Sequence, residues 1–436
     1  MEKGQQLYKK ARNIIPGGTQ LLSKRPELHL PELWPAYYDK ARGCRVWDLE
    51  GNIYTDMSYM GIGSCILGYS DRDVDNAVKM AVDKGTMSTL NCPEEVELAG
   101  ILCDIHGWAD MVRFSRTGGE AAAMAVRIAR ASTGRDIVLF CGYHGWHDWY
   151  LSANLADDSG LDGHLLPGLE PRGVPRELKG TSIPFQYNDS DGFLALLEKY
   201  RSRIAAVIME PVRNLYPTGG FLETIRDRTQ REGIILIFDE ITSGWRLNHG
   251  GAHLGFGVDP DMAVFAKGIS NGYPMAAVIG RENVMTVAQD TFISSTYWTE
   301  RIGPVAAIST IGKMSKNNVP GHLKHTGSRI KAGWRKYADE HGLEIEISGI
   351  DPLGHFTFSG EKHLVLKTLF TQYMLERGFL ATNAFYASYA HKDEHVDKYL
   401  DAVSEVFGLV RKAADSTSPE DFLKKKVCHS GFRRLT

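Results

Sequence analysis

The sequence predicts an α/β fold: a mostly parallel sheet with helices on both faces, joined to a smaller α+β C-terminal domain. Three observations carry this expectation. Short apolar runs, Ile137-Val138-Leu139-Phe140, Ala205-Ala206-Val207-Ile208-Met209, Ile234-Ile235-Leu236-Ile237-Phe238 and Met262-Ala263-Val264-Phe265, are each bounded by polar residues, Gly or Pro. That is the pattern of strands buried on both faces. Ahead of these runs, helical spacing in residues 73–83, 93–105 and the Ala-rich 120–131 alternates with a short strand at Met111-Val112-Arg113-Phe114, and strands alternating with helices make a parallel sheet. Past residue 312 the texture changes to charged amphipathic helices over 323–341, 362–377 and 391–413, with strands near 343–347 and 355–358.

The elements follow in chain order. Residues 1–55 read as an N-terminal arm, Pro-rich and aromatic over 26–38, and a strand pair around Arg45-Val46-Trp47-Asp48 and Ile53-Tyr54-Thr55, closed by the turn residues Glu50-Gly51-Asn52. The arm and strand pair are expected to pack with the small domain. Residues 56–312 form the large domain, with a further strand at Met111-Val112-Arg113-Phe114, and residues 313–436 form the small one. The Gly/Pro-rich segment 161–180 reads as a lid.

Composition narrows the function. Among 436 residues, 50 basic side chains face 53 acidic ones, a net charge of -3. This supplies no basic field for nucleic acid or an anionic membrane surface. No uncharged apolar run approaches the ~18 residues of a membrane span, and the N-terminal residues lack the apolar stretch of a signal peptide. Six cysteines (Cys44, Cys65, Cys92, Cys103, Cys141 and Cys428) occur without a Cys-x-x-Cys, which suits reduced thiols and a cytoplasmic location. The 45 glycines point to many tight turns or close backbone approaches.

Several motifs fail on inspection. Gly61-Ile62-Gly63-Ser64-Cys65-Ile66 has Ile where a dinucleotide fingerprint needs its third glycine. His391 and His395 lie four apart, but with Lys392, Asp393 and Glu394 between them they read as a solvated helix face, and no metal is expected. Gly268-Ile269-Ser270-Asn271-Gly272 matches a serine-nucleophile elbow, yet the Tyr273-Pro274 that follows opposes the helix such an elbow needs.

The strand before that serine ends in Lys267, and the strand 28 residues upstream ends in Asp239. One loop-helix crossover between neighbouring parallel strands would bring both ends to one rim. A lysine there either snorkels to solvent or, desolvated, forms a Schiff base. A lysine and a buried acid together suit pyridoxal phosphate: the lysine carries its aldehyde carbon, and the carboxylate keeps its pyridine nitrogen protonated. Thr117-Gly118-Gly119-Glu120 opens the Ala-rich helix and offers backbone N–H groups to a phosphate, although Thr117 equally suits an ordinary helix cap. Tyr143, in Tyr143-His144-Gly145, offers an aromatic face for the ring. Ile241, two residues past Asp239, would cover the other face, because alternate strand residues share a side.

Together these residues resemble the class III pyridoxal-phosphate-dependent aminotransferases, most nearly the branch containing glutamate-1-semialdehyde 2,1-aminomutase. The likeness runs from Ile15-Pro16-Gly17-Gly18 to the C-terminal domain, and is most specific at Phe238-Asp239-Glu240-Ile241 with Gly244-Trp245-Arg246, and at Ala266-Lys267-Gly268-Ile269-Ser270-Asn271-Gly272-Tyr273-Pro274. The resemblance implies fold type I with a seven-stranded type of sheet, a homodimer with sites at the subunit interface, and ping-pong transfer of an amino group from an amino acid donor, glutamate, to an aldehyde or ketone.

It further implies a Schiff base at Lys267, which also shuttles the proton, with Asp239 against the pyridinium and Tyr143 stacked on the ring. Thr117, Gly118, Gly119, His144, Glu210 and Ile241 become cofactor contacts, and Thr296 reaches the phosphate from the other subunit. Glu240 and Arg246 form a structural pair. Arg213, three residues after Glu210, is either a substrate contact through its guanidinium fork or a surface-loop arginine.

The departures concern recognition. The family's phosphate loop reads Ser-Gly-Thr-Glu-Ala, against Thr117-Gly118-Gly119-Glu120-Ala121 here. The aminomutases' Phe-Glu-Ala becomes Phe385-Tyr386-Ala387, and their N-terminal arginine falls near Ser23-Lys24-Arg25. Lys24 and Tyr386 are therefore candidate substrate contacts. Intramolecular aminomutation is the alternative activity, and amino transfer between two substrates the expected one.

Overall fold

The computed structural model describes residues 3–155 and 171–430. The first half of the expected lid, 161–170 of 161–180, therefore lies outside the described residues. Two compact units emerge, one from the residues up to Asp71 together with those from Gly321, the other Arg72–Pro320.

The first unit begins with the helix Lys3–Ile14 and short 3-10 turns, followed by strands β1 (Tyr38–Arg42), β2 (Arg45–Asp48) and β3 (Ile53–Asp56) in an antiparallel meander. The β2–β3 turn is set by Asp48, whose Oδ1 accepts the N–H groups of Glu50 and Asn52 at 2.9 and 2.8 Å.

The second unit is built on a sheet of β4 (Met111–Ser115), β5 (Ile137–Cys141), β6 (Ser182–Pro184), β7 (Ile204–Met209), β8 (Ile235–Asp239), β9 (Met262–Phe265) and β10 (Ala276–Gly280). The strand order is β4-β10-β9-β8-β7-β5-β6. β6, β5, β7, β8 and β9 run parallel, and β10 is antiparallel to both β9 and β4. The sheet is thus mixed, with mostly parallel strands.

Alternate strand residues enter opposite cores. Val138, Phe140, Ala206, Ile208, Ile237 and Val264 pack with Ala121 and Ala125 of the helix Gly118–Thr133. Ile137, Leu139, Val207, Met209, Leu236 and Phe238 pack on the other face with Phe193 and Phe221 from two further helices. Burial on both faces explains why these strands read as unbroken apolar runs. β6 and β10 lacked that signal, because one has three residues ending in Pro and the other is largely Ala and Gly.

The first unit resumes with β11 (Ile345–Ser348), β12 (Leu353–Phe358), β13 (Phe379–Leu380) and β14 (Ala384–Tyr386). β13 pairs parallel with β3, so the N-terminal meander and the C-terminal residues share a sheet. β11, β12 and β14 form a second sheet. Its core is aromatic: the Phe356 ring lies 4.9 Å from that of Trp334 and 5.2 Å from that of Phe370.

His391 does not sit on a solvated helix face. It precedes the helix Asp393–Ala414 and is fully buried. Its Nε2 donates to the Asp56 carbonyl at 2.8 Å, and its Nδ1 accepts the Ser388 N–H at 3.1 Å. Among the described residues, no helix is long and apolar enough to cross a membrane, and no group of three or more His, Cys, Asp or Glu side chains could hold a metal ion.

His106 is held in the same way. Its Nδ1 donates to the Leu102 carbonyl at 2.9 Å, and its Nε2 accepts the Gly251 N–H at 3.0 Å. Each ring needs one nitrogen bare, and burial lowers the pKa of both to about 4. The unfolded chain, with histidines near the usual ~6.5, binds protons that the folded chain refuses. Stability is therefore complete above about pH 6.5 and falls as pH drops toward 4, by up to about 2 kcal/mol per ring at pH 5. Urea midpoints at pH 7 and pH 5 check this, and His106→Gln should lose less between the two pH values than the unchanged protein.

Candidate active site

The carboxyl ends of β9, β8, β7 and β5 lie on one rim. β4 joins them, since it is antiparallel to β10 and β10 is antiparallel to β9. In open α/β sheets this rim is where ligands bind.

Asp239 ends β8 and is 1% exposed. Its Oδ2 accepts His144 Nδ1 at 2.7 Å and its Oδ1 accepts the Ile241 N–H at 3.0 Å. His144 is wedged among Phe140, Trp149 and Tyr150, and its Nε2 is enclosed without a hydrogen-bond partner. Ile241 does reach the rim, but not by strand alternation. The strand has already ended, and the residue is placed by the bond from its N–H back to Asp239.

Lys267 lies two residues past β9 at φ +46°, opening the 3-10 turn Lys267–Ser270. Its Nζ donates to Thr242 Oγ1 at 2.6 Å. β8 and β9 are parallel neighbours, as expected, but the connection is made of turns and the 3-10 segment Ala252–Gly255 instead of an α-helix. Sequence reasoning missed Thr242, whose only signal was a hydroxyl three residues beyond the buried acid.

Thr117 and Glu120 form a reciprocal cap at the helix start. Thr117 Oγ1 accepts the Glu120 N–H at 3.4 Å, and Glu120 Oε2 accepts the Thr117 N–H at 2.9 Å. The helix begins at Gly118, two residues before the expected start, and the first N–H groups of a helix have no partner within it. Each glycine is pressed by a neighbour. A Cβ on Gly118 would lie 2.8 Å from Ile241 Cδ1, and one on Gly119 would lie 3.0 Å from His147 Cε1.

Tyr143 is half-buried, and its N–H donates to Glu210 Oε2 at 3.3 Å. Glu210 follows β7 and is 2% exposed. Arg213 is 6% exposed, which removes the surface-loop reading. Ser270 is fully buried, donates to the Tyr273 carbonyl and precedes no helix, so the nucleophile-elbow reading falls.

Thr296 opens the exposed 3-10 segment Thr296–Thr299. That segment is tied to the helix start, because Trp298 Nε1 donates to Glu120 Oε1 at 3.4 Å and the Glu300 carbonyl accepts from Arg116 Nη2 at 2.7 Å. Lys24 and Tyr386 belong to the first unit, whereas every other site residue belongs to the second. Lys24 is exposed in the turn Leu22–Lys24. Tyr386 packs edge-on against Tyr59 at 5.3 Å, and its N–H donates to the Ser58 carbonyl at 2.7 Å.

Glu240, beside Asp239, faces a different environment. Its Oε1 accepts both the N–H and Nδ1 of His253 at 2.9 Å, and its Oε2 accepts the Ser243 hydroxyl at 2.6 Å. Trp108 Nε1 donates to His253 Nε2 at 2.9 Å, which fixes that ring with its proton on Nδ1. Complete burial alone would raise the Glu240 pKa, but the His253 and Ser243 donors outweigh it and hold the carboxyl below its usual value. Arg246 Nε donates to the Thr242 carbonyl at 2.7 Å.

The class III aminotransferase family model matches residues 31–407. The chain belongs to that family. It is 30% identical to the 3-aminobutyryl-CoA aminotransferase of Cloacimonas acidaminovorans over 94% of this chain and 98% of that protein. It is 31% identical to the glutamate-1-semialdehyde 2,1-aminomutase of Methanothermobacter thermautotrophicus over 93% of this chain and 98% of that one. The pyridoxal-phosphate internal aldimine form of the FumI protein from Sphingopyxis sp. MTA144 shares the fold, with a TM-score of 0.86 over 96% of this chain and 99% of that one at 24% identity.

Pyridoxal 5′-phosphate is the cofactor of this aminotransferase, and the rim suits it. A buried carboxylate, a lysine amine and two glycine N–H groups at a helix start are what its pyridine nitrogen, aldehyde and phosphate need.

The Glu240 network makes a stability prediction. His253→Leu takes the Nδ1–H donor from a buried carboxylate and the acceptor from the Trp108 indole, and losing a hydrogen bond of this kind to a charged group costs about 1.5–3 kcal/mol. Chemical denaturation of the purified variant should show a loss of that size, whereas an exposed control such as His325→Leu should change little.

Proposed function

We propose that this class III enzyme transfers an amino group from an amino acid donor, glutamate, to an aldehyde or ketone in a ping-pong sequence, with Lys267 and Asp239 as its catalytic residues. The observation that carries the reading is the convergence of Asp239, Lys267 and Gly118-Gly119 on one rim of one unit. The cofactor, when bound, supplies an aldehyde carbon for amines and a protonated ring that withdraws electrons.

The chain's own residues do the rest. Lys267 holds the cofactor covalently through Nζ, and once that amine is free it moves the proton at the substrate's amino-bearing carbon. Thr242, accepting from Nζ at 2.6 Å, orients it. Asp239 keeps the ring nitrogen protonated, and His144 and the Ile241 N–H hold its two oxygens in place. Tyr143 and Ile241 cover the ring faces, Thr117, Gly118 and Gly119 receive the phosphate, and Glu210 fixes the backbone at Tyr143. Arg213, buried on the loop that follows β7, is the contact for an anionic group on the substrate. Lys24 and Tyr386 are further substrate contacts.

Tyr386, standing where the aminomutase pattern has glutamate, favours amino transfer between two substrates over intramolecular transfer. Borohydride reduction followed by peptide mass analysis should find the cofactor on Lys267, and Lys267→Ala should carry none. Incubated with glutamate-1-semialdehyde alone, the enzyme should give no 5-aminolevulinate. Conversion without a second substrate would make it a mutase.

The same reading makes the enzyme a cytoplasmic homodimer, with Thr296 serving the phosphate of the partner subunit. Leu90, Tyr297 and Phe292 are 81%, 71% and 91% exposed on segments next to the phosphate loop. The 86–94 and 296–301 stretches are joined by Arg301, whose N–H donates to the Thr86 carbonyl at 2.9 Å and whose Nε meets Glu94 at 3.0 Å. Large apolar side chains left in water beside a site are the mark of a docking face. Sedimentation should give a dimer mass, and Tyr297→Asp with Phe292→Asp should give a folded monomer that retains the cofactor poorly.

A further inference from the structure

The side chain over Gly119 is a histidine. His147 precedes the short helix Asp148–Leu151, and its carbonyl accepts the N–H groups of Tyr150 and Leu151 at 2.9 and 3.1 Å, so its backbone is fixed. The ring stacks on Trp146 with centroids 4.6 Å apart. Its Cε1–Nδ1 edge rests on Gly119, where a Cβ would lie 3.0 Å from Cε1 and 3.1 Å from Nδ1. Gly145, at φ +102°, makes the approach possible, because a Cβ there would lie 3.1 Å from the Gly119 α-carbon.

His147 Nδ1 is enclosed and has no hydrogen-bond partner. The nearest acid on the neighbouring helix is committed elsewhere: Glu120 accepts the Arg116 and Thr117 N–H groups and Trp298 Nε1. A buried ring nitrogen without a partner costs about 1–3 kcal/mol and calls for an explanation. The one group expected beside Gly119 is an anion at the start of a 16-residue helix.

We propose that His147 is a phosphate ligand of the cofactor: its imidazole fills the volume that Gly119 leaves, and its Nδ1 hydrogen donates to a phosphate oxygen. The two glycines of the loop then have separate purposes. Gly118 admits the apolar Ile241 toward the ring, and Gly119 admits a donor toward the phosphate. The proposal rests on the reading of Gly118-Gly119 as the phosphate cradle.

The test compares pyridoxal phosphate with pyridoxal, which has the same aldehyde and ring but no phosphate. Cofactor-free full-length protein is titrated with each, following the quenching of tryptophan fluorescence. The unchanged protein should prefer pyridoxal phosphate. His147→Ala should weaken pyridoxal phosphate about tenfold or more, the scale of one hydrogen bond to a charged group, and leave pyridoxal unchanged. His147→Asn, which keeps an amide donor near Nδ1, should recover most of the loss and serves also if the alanine variant folds poorly. Equal weakening of both ligands would make His147 a structural plug, and full retention of the preference in His147→Ala would also overturn the proposal. If the unchanged protein itself binds both ligands equally, the cradle reading fails, whatever His147 does.

Discussion

A carboxylate at the buried end of β8 constrains the rest of the second unit. Asp239 is 1% exposed, and moving such a group out of water costs several kcal/mol unless donors or a cation replace the solvent. Two donors are built in, the Ile241 N–H and His144 Nδ1. To deliver the second, the chain leaving β5 must turn back at once. It does so through Gly142 at φ +120°, where a Cβ would lie 2.7 Å from Glu210 Oε2. The same turn sets Tyr143 at the rim and carries His147 onto Gly119. Tyr143, the donor to Asp239 and the side chain over Gly119 thus share one loop, whose course is dictated by the acid it must satisfy.

The dipeptide Asp239-Glu240 divides its two carboxylates between tasks. Asp239 closes β8 at the rim, where His144 and the Ile241 N–H hold its two oxygens. Glu240 points into the protein and is compensated by His253 and Ser243, with Trp108 fixing the histidine's tautomer. Its backbone N–H donates to the Val264 carbonyl at 2.8 Å, which locks the chain after β8 against β9. The pairing Asp239↔Val264 sets the register from which Lys267 follows three residues later. The buried network around Glu240 therefore acts on the chemistry through position: it holds the ends of two neighbouring strands in step.

The sheet was legible in the sequence where burial on both faces forced unbroken apolar runs, as at Ile137–Cys141 and Met262–Phe265. It was illegible where strands are short or poor in large side chains, as at Ser182–Pro184 and Ala276–Gly280. The site was legible by the same logic, since an ionisable residue at the end of an apolar run, as with Asp239 and Lys267, violates the pattern around it. The expectation that Ile241 continues the strand's alternation fails, because one backbone hydrogen bond to Asp239, invisible in the sequence, turns the chain there. His147 carried no local signal, and Thr242 only a hydroxyl near the buried acid. Their roles depend on what lies opposite them, at Lys267 and Gly119, and sequence spacing does not report such pairs.

This contrast separates the chemistry from its specificity. Asp239, Lys267, Tyr143, Glu210 and Gly118-Gly119 sit at or just beyond the ends of strands in a single sheet, where substitution would disturb the core. The residues assigned to substrate recognition, Lys24, Arg213 and Tyr386, are spread over a turn, a loop and a three-residue strand of the two units. Changes there leave Asp239, His144 and Lys267 in place. A chain about 30% identical to both an aminotransferase and an aminomutase can therefore keep one rim and alter what is presented to it. Phe385-Tyr386-Ala387 places a phenol, packed on Tyr59, where the aminomutase pattern has a carboxylate.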